Sequence, residues 1–109
     1  MAMLLFFLIS QCSCPSVDDM TAVAQSDMVF EGVVDSVIQD SLRGYVFDVS
    51  FVIKGRDTGR VVVWTPDSCG VDFRVGGEYR VFSKRVDGRL ITDACSGSYP
   101  IYSEEEYDQ

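Results

Sequence analysis

The sequence predicts an all-β fold with one short helix near its start. Runs of β-branched and aromatic residues alternate with short turn sequences, and no segment has the length and periodicity of a long helix. The clearest two-residue alternation places Tyr45, Phe47, Val49, Phe51 and Ile53 on one face, which is typical of a half-buried antiparallel strand. Five short antiparallel strands favour a small closed or nearly closed barrel, with a sandwich as the alternative.

The helix is expected from Val17 to about Gln25. Ser16 is a good N-cap residue, and Asp19, three positions later, resembles the second half of a capping box. We expect the apolar face of this helix to pack on the sheet.

The five strands are separated by turns. Gly32 lies inside the first strand and predicts a bulge or a sharp bend there. Asp87-Gly88 is a strong two-residue hairpin signal between the fourth and fifth strands. Residues 96 to 102 are expected to be irregular. The expected strands are Met28 to Gln39, Tyr45 to Ile53, Arg60 to Thr65, Glu78 to Lys84 and Leu90 to Ala94.

Four cysteines are distributed unevenly along the chain. Cys12 and Cys14 lie one residue apart, whereas Cys69 and Cys95 lie far downstream. An even number of cysteines in a small domain suits a disulfide framework made in an oxidising compartment, and four cysteines allow three pairings. A zinc site is disfavoured, because the close pair has one intervening residue rather than two and no second close pair exists.

An apolar run precedes the first cysteine. Ala2 to Ile9 is shorter than the roughly 20 residues that a membrane-spanning helix needs, so no membrane span is expected. The run fits the apolar region of a secretory signal, which makes residues 1–11 a leader and the protein extracellular. A buried first strand is the alternative. Residues 8–12 also resemble a bacterial lipoprotein signal, with Cys12 as the lipid-anchored residue.

The chain is strongly acidic. It has 17 acidic and 9 basic residues, which give a net charge of −8. Such a chain repels phosphate backbones, so nucleic acid is not an expected partner. Part of the excess lies in residues 103–109, which are expected to form a solvated acidic tail.

Several classes of enzyme are excluded by composition. The sequence has no histidine, which removes Ser-His-Asp and Cys-His catalysis and histidine zinc ligation. Gly76-Gly77 is expected to be a turn rather than a phosphate-binding loop. The aromatic residues Tyr45, Phe47, Phe51 and Tyr79 lie at core positions instead of forming a base-stacking platform. We therefore expect no enzymatic activity and no cofactor, and the lack of a coiled-coil pattern predicts a monomer.

Short motifs, in order along the chain, define a family resemblance. Over about Cys12 to Tyr102 the chain resembles a netrin-like domain, the fold of the inhibitory half of the tissue inhibitors of metalloproteinases. That inhibitory half usually has a third disulfide, for which this chain has no cysteines. The motifs are Cys12-Ser13-Cys14-Pro15, Ala24 to Phe30 with Gly32-Val33-Val34, Phe51 to Gly55, Cys69-Gly70 followed by Phe73, Gly76 and Tyr79, and Cys95-Ser96-Gly97.

The resemblance implies a fold and a disulfide pairing. Residues 12–102 would form a five-stranded barrel of the oligonucleotide/oligosaccharide-binding (OB) type. Disulfides Cys12–Cys69 and Cys14–Cys95 would fasten the start of this domain to its body.

The resemblance also implies a secreted inhibitor whose partner is a zinc metalloendopeptidase. If the leader is cut before Cys12, its α-amine and main-chain carbonyl oxygen would chelate the catalytic zinc at the open position of such sites. Ser13 would enter the specificity pocket of the protease. The other residues expected to contact the protease are Cys14, Pro15, Pro66, Asp67, Ser68 and Cys69.

The same residues also have purely structural interpretations. The four cysteines stabilise the fold with or without inhibition, and Pro15 suits the first turn of a helix. The alternative function is therefore a non-inhibitory extracellular netrin-like module that binds another protein.

Overall fold

The computed structural model describes residues 12–101. The expected leader (1–11), Tyr102 and the expected acidic tail (103–109) lie outside these residues. No helix within the described range is long and apolar enough to cross a bilayer. The elements are α1 (Asp19–Gln25), β1 (Met28–Gln39), β2 (Arg43–Lys54), β3 (Arg60–Thr65), β4 (Glu78–Val86), β5 (Arg89–Ile91) and β6 (Tyr99–Pro100).

Five of the strands close into a ring. β1 pairs antiparallel with both β2 and β4, and β2 continues to β3. β3 pairs in parallel with β5, and β5 pairs antiparallel with β4, which completes the order β1-β2-β3-β5-β4. β6 lies outside this ring and pairs only with β4. The predicted five-stranded closed barrel of the OB type is confirmed, and the sandwich alternative is excluded.

The first strand is bent at the predicted glycine. The register between β1 and β2 shifts between Glu31 and Gly32, where Ser50 of β2 is the extra residue. A Cβ atom at Gly32 would lie 2.6 Å from the carbonyl oxygen of Asp48, closer than real Cβ atoms approach. Only glycine therefore allows the two strands to approach this closely at the bend.

Aromatic rings fill the barrel. Phe47 is fully buried and packs edge-to-face against Phe30 and Phe73, with ring centroids 5.3 and 5.2 Å apart. Phe73 in turn contacts Tyr45 and Tyr79, at 5.0 and 4.8 Å. Edge-to-face pairs of this kind add stability beyond the area they bury. The predicted core positions of Tyr45, Phe47 and Tyr79 are confirmed.

The predicted core position of Phe51 is wrong. Its side chain is 60% exposed. The extra residue in β2 reverses the alternation, so Phe51 faces Glu31 of β1 instead of the core. Glu31 points outward, where its carboxylate accepts hydrogen bonds from Arg80.

Helix α1 covers a second, smaller core on the outside of the barrel. Ala22 packs there with Val29 of β1 and Phe82 of β4. The helix starts later than expected, because Asp18 rather than Ser16 is the N-cap residue. The carboxylate of Asp18 accepts a hydrogen bond from the backbone N–H of Thr21, which lowers the pKa of Asp18.

One arginine joins four elements on this side of the molecule. Arg80 of β4 donates to Glu31 of β1 and, at 3.0 Å, to Asp19 of α1. The hydroxyl of Tyr99 in β6 donates to the same Asp19 carboxylate at 3.0 Å. Burial of the Tyr99 hydroxyl raises its pKa, and this hydrogen bond is the second cause of the increase. The helix and the outer strand are thereby fastened to the barrel.

The C-terminal third differs in detail from the prediction. The hairpin at Asp87-Gly88 is confirmed, with both residues at positive φ. β5 ends at Ile91 rather than at Ala94, because the buried hydroxyl of Thr92 donates to Phe82 and the chain then turns. The segment expected to be irregular contains β6.

Two phenylalanines on β2 offer a matched test of this core. Replacing Phe47 by alanine should lower the free energy of unfolding by about 3–5 kcal/mol, since it leaves a cavity at the centre of the barrel. Replacing the exposed Phe51 by alanine should change it by no more than about 0.5 kcal/mol. Urea unfolding followed by the fluorescence of Trp64 measures both, and equal losses would contradict the inward and outward assignments.

Candidate functional site

Two disulfides fasten the start of the described chain to the barrel. Cys12 is bonded to Cys69 and Cys14 to Cys95, with Cα–Cα distances of 5.6 and 5.2 Å. This is the predicted pairing, and no described cysteine is free. The bridges bring together residues 12–15, 66–70 and 93–96, three segments that we call the cysteine edge.

The loop that contains Cys69 is closed by its own residues. Thr65, at the end of β3, is 2% exposed, and its Oγ1 accepts a hydrogen bond from the backbone N–H of Val71 at 2.9 Å. A Cβ atom at Gly70 would collide with the carbonyl oxygen of Pro66, so the tight return of the chain requires glycine. Cys69 itself adopts a positive φ of 63°. These features give the loop one defined shape.

The loop that contains Cys95 is also internally bonded. The Asp93 carboxylate accepts hydrogen bonds from the backbone N–H of Cys95 at 2.9 Å and from the hydroxyl of Ser96 at 3.0 Å. The backbone N–H of Ala94 donates to the carbonyl oxygen of Cys69 at 2.8 Å. The attachment points of the two disulfides are therefore joined by a direct backbone hydrogen bond.

The segment from Cys12 to Val17 is held differently from the loops beneath it. No hydrogen bond between described residues involves residues 12 to 17. Two disulfides attach its first half, and Val17 packs against the small core under α1. Its position thus depends on covalent bonds and one apolar contact.

Most of the predicted contact residues lie on the surface. The exposed residues are Ser13, Cys14, Pro15, Asp67, Ser68 and Cys69. Cys12 and Pro66 are half-buried. The structure therefore brings both predicted segments, 12–15 and 66–69, to one accessible edge of the barrel through the Cys12–Cys69 bridge.

Charge at the cysteine edge is entirely negative. Its three segments contain Asp67 and Asp93 and no basic residue.

A cavity of about 230 Å³ lies behind the loop that contains Cys69, and Arg43 and Asp72 form an ion pair at 2.6 Å in its wall. Hydrogen bonding to the Tyr45 hydroxyl, together with the charge of Asp72, raises the pKa of Arg43. Within residues 12–101, no group of His, Cys, Asp and Glu side chains is placed to hold a metal ion.

The sequence did not indicate which residues support the edge. The supporting contacts join residues that are not neighbours in sequence, and no short sequence motif marks them. They are the contacts of Thr65 with Val71, of Gly70 with Pro66 and of the Ala94 N–H with Cys69. Asp93-Ala94-Cys95-Ser96 is the one sequence signal for these supports. Aspartate and serine are typical of turns in which a side chain bonds to the backbone.

No family model matches this chain, and no curated protein sequence matches it.

The Thr65 hydroxyl provides a test of loop closure. Thr65→Val keeps the shape of the side chain but removes the acceptor for the Val71 N–H, so exchange of this amide should accelerate and stability should fall by about 1–3 kcal/mol. Thr65→Ser should restore the slow exchange. Hydrogen exchange resolved by NMR measures both.

The control is a buried hydroxyl that lies away from the loop. The Ser83 hydroxyl donates to the carbonyl oxygen of Met28 at 3.0 Å, and Ser83→Ala removes that bond. If Ser83→Ala and Thr65→Val accelerate Val71 exchange equally at matched stability, Thr65 has no local role in the loop.

Proposed function

We propose that this chain is an extracellular inhibitor of zinc metalloendopeptidases and acts through its cysteine edge. The observation that carries the proposal is the attachment of Cys12 and Cys14 to two loops that are themselves hydrogen-bonded together. A segment fixed in this way loses little conformational entropy when it binds, and such preorganisation increases affinity. Two disulfides also suit an oxidising compartment outside the cytosol.

The proposed chemistry takes place at the target's metal. A catalytic zinc has three protein ligands and one open position. After cleavage before Cys12, its α-amine and carbonyl oxygen would close a five-membered chelate ring at that position. The amine binds only when neutral, and because the ordinary pKa of an α-amino group is roughly 8, deprotonation near neutral pH costs little. The chain itself is proposed to catalyse nothing.

The neighbouring residues would make the protein contacts. Ser13 is exposed between the two bridged cysteines, and a small side chain there suits a permissive contact in the specificity pocket. Pro15 would continue along the primed side of the cleft. The exposed Asp67 and Ser68 would form a second ridge, tied to Cys12 through Cys69.

A second candidate is a protein-binding module that does not inhibit. Phe51 is 60% exposed on the outer face of β1 and β2, and Val33 lies on the same face with 37% exposure. This apolar surface is separate from the cysteine edge and suits a partner protein. Acylation of the Cys12 amine would leave this function intact and abolish chelation.

The N-terminus decides between these functions. A protein that begins at Cys12 with a free amine should inhibit members of a zinc endopeptidase panel, whereas one extra alanine before Cys12 should weaken inhibition by about a hundred-fold or more, because the chelate is lost. Fluorogenic peptide hydrolysis measures both, after N-terminal sequencing and non-reduced mass spectrometry establish the starting residue and both bridges. Full activity of every protease in the presence of the Cys12-initiated protein would refute inhibition.

The specificity-pocket role of Ser13 is tested separately. Ser13→Arg should alter the rank order of inhibited proteases, because their pockets differ in depth and charge. Thr58→Arg, in the exposed loop before β3 and so at the opposite end of that strand from Pro66, introduces the same side chain away from the edge and should leave the order unchanged. Identical inhibition profiles for both variants would remove Ser13 from the contact surface.

A further inference from the structure

A cavity of about 620 Å³ lies between strand β6 and the loop that joins β3 to β4. Its wall is formed by residues 71–79 and 98–101. None of these residues belongs to the cysteine edge, so the proposed inhibitory function leaves this cavity unused.

Exposed apolar side chains form part of the wall. Val75, in the loop, is 61% exposed, and Pro100 of β6 is exposed as well. Val71 and Ile101 are half-buried beside them. Covering such surface with another apolar group removes it from water and is favourable. The wall is therefore suited to a ligand that carries an apolar surface.

Two hydrogen-bond donors of the wall have no acceptor within the described chain. Tyr79 is 7% exposed, and its hydroxyl accepts a hydrogen bond from the backbone N–H of Arg74 at 2.8 Å but donates to no described residue. The guanidinium group of Arg74 is exposed and forms no ion pair within residues 12–101. Donors without acceptors favour an oxygen atom in the cavity.

The carboxylates of the wall determine which kind of oxygen fits. Asp72 is paired with Arg43 at 2.6 Å, whereas Glu78 has no ion-pair partner among the described residues. Arg74 and Glu78 thus offer one positive donor and one negative acceptor. A phenol hydroxyl both donates and accepts, and its ring supplies the apolar surface. A tyrosine side chain matches this wall, whereas a carboxylate or an ammonium group would meet a like charge.

The chain itself leads a tyrosine towards this wall. The backbone N–H of Ile101 donates to the carbonyl oxygen of Glu78 at 2.8 Å, so the pairing of β6 with β4 continues to the end of the described range. The next residue in the sequence is Tyr102. Tyr99 points to the outer face, where its hydroxyl bonds to Asp19. Because side chains of an extended chain alternate between faces, an extended continuation of β6 directs residue 102 to the opposite face.

We propose that this cavity binds the side chain of Tyr102. Pro100 and its β4 partner Tyr79 share the face to which Tyr102 is directed. There the ring covers the exposed Val75, and the hydroxyl bonds to Arg74. Because Tyr102 is joined directly to the wall, its effective concentration at the cavity is at least of about millimolar order, so weak contacts are sufficient. The bound side chain fastens the far end of β6 to the loop before β4.

Proton NMR of the full-length protein tests this contact directly. The ring of Tyr102 should give nuclear Overhauser contacts with the methyl groups of Val75. These contacts should persist on dilution, since they form within one chain. Tyr107, which lies further along the same C-terminal segment, is the matched control and should give none.

Matched substitutions separate the ring from its polar partner. Tyr102→Ala should shift the Val75 methyl resonances, whereas Tyr107→Ala should leave them unchanged. Arg74→Gln should lower the equilibrium constant for binding of the Tyr102 side chain by about two- to ten-fold, because one hydrogen bond is lost. Arg56→Gln, at an exposed arginine outside this cavity, should not alter it. The position of the Val75 resonances between their wild-type and Tyr102→Ala values gives this constant.

Any of three results would overturn this inference. Tyr102 resonances that match those of Tyr107, with no contact to Val75, would leave the cavity to another occupant. Contacts that disappear on dilution would place the tyrosine of a second copy in the cavity. Equal effects of Tyr102→Ala and Tyr107→Ala would indicate a general attraction of the C-terminal segment instead of one bound side chain.

Discussion

The barrel depends on one strand that pairs on both of its edges. β1 forms a ladder with β2 along most of its length and with β4 over its first half, and this double pairing closes the ring. A straight strand could not follow both neighbours around so small a barrel, and the bend at Gly32 makes this possible. The register shift at the bend also turns Phe51 outward, so closure of the barrel and exposure of an apolar side chain have the same cause.

The sequence was most informative where structure is locally determined. The alternation in β2 from Tyr45 to Val49, the glycine of the bend and the Asp87-Gly88 turn each act within a few residues, and all three are confirmed. Phe51 was misplaced because a bulge depends on the partner strand, which the alternation within one strand cannot reveal. Ser16 and Asp18 are N-cap residues of similar strength, so local chemistry alone cannot predict which of them begins the helix, and the structure shows that Asp18 does.

The sequence predicts the disulfides of the candidate site but not the hydrogen bonds that hold its loops in place. The pairing Cys12–Cys69 and Cys14–Cys95 followed from a family resemblance, since four cysteines alone allow three pairings. The hydrogen bond between Ala94 and Cys69 joins loops 25 residues apart in sequence (94 − 69 = 25), and no periodic pattern marks it. Contacts of this kind arise only after the barrel has brought the ends of β3 and β5 together.

The barrel and the N-terminal segment are held in place by different kinds of bonds. The barrel is closed by backbone hydrogen bonds and a buried aromatic core. The segment from Cys12 to Val17 is instead attached by two disulfides and the packing of Val17, with no hydrogen bond to the described chain. Reduction of both bridges would therefore release the segment while the hydrogen-bonded ring retains its own pairing. Ser13 and Pro15 can consequently vary without disturbing the core, because neither residue takes part in a hydrogen bond of the barrel. This independence is what a recognition segment requires, since its side chains can then be selected by a partner rather than by the fold.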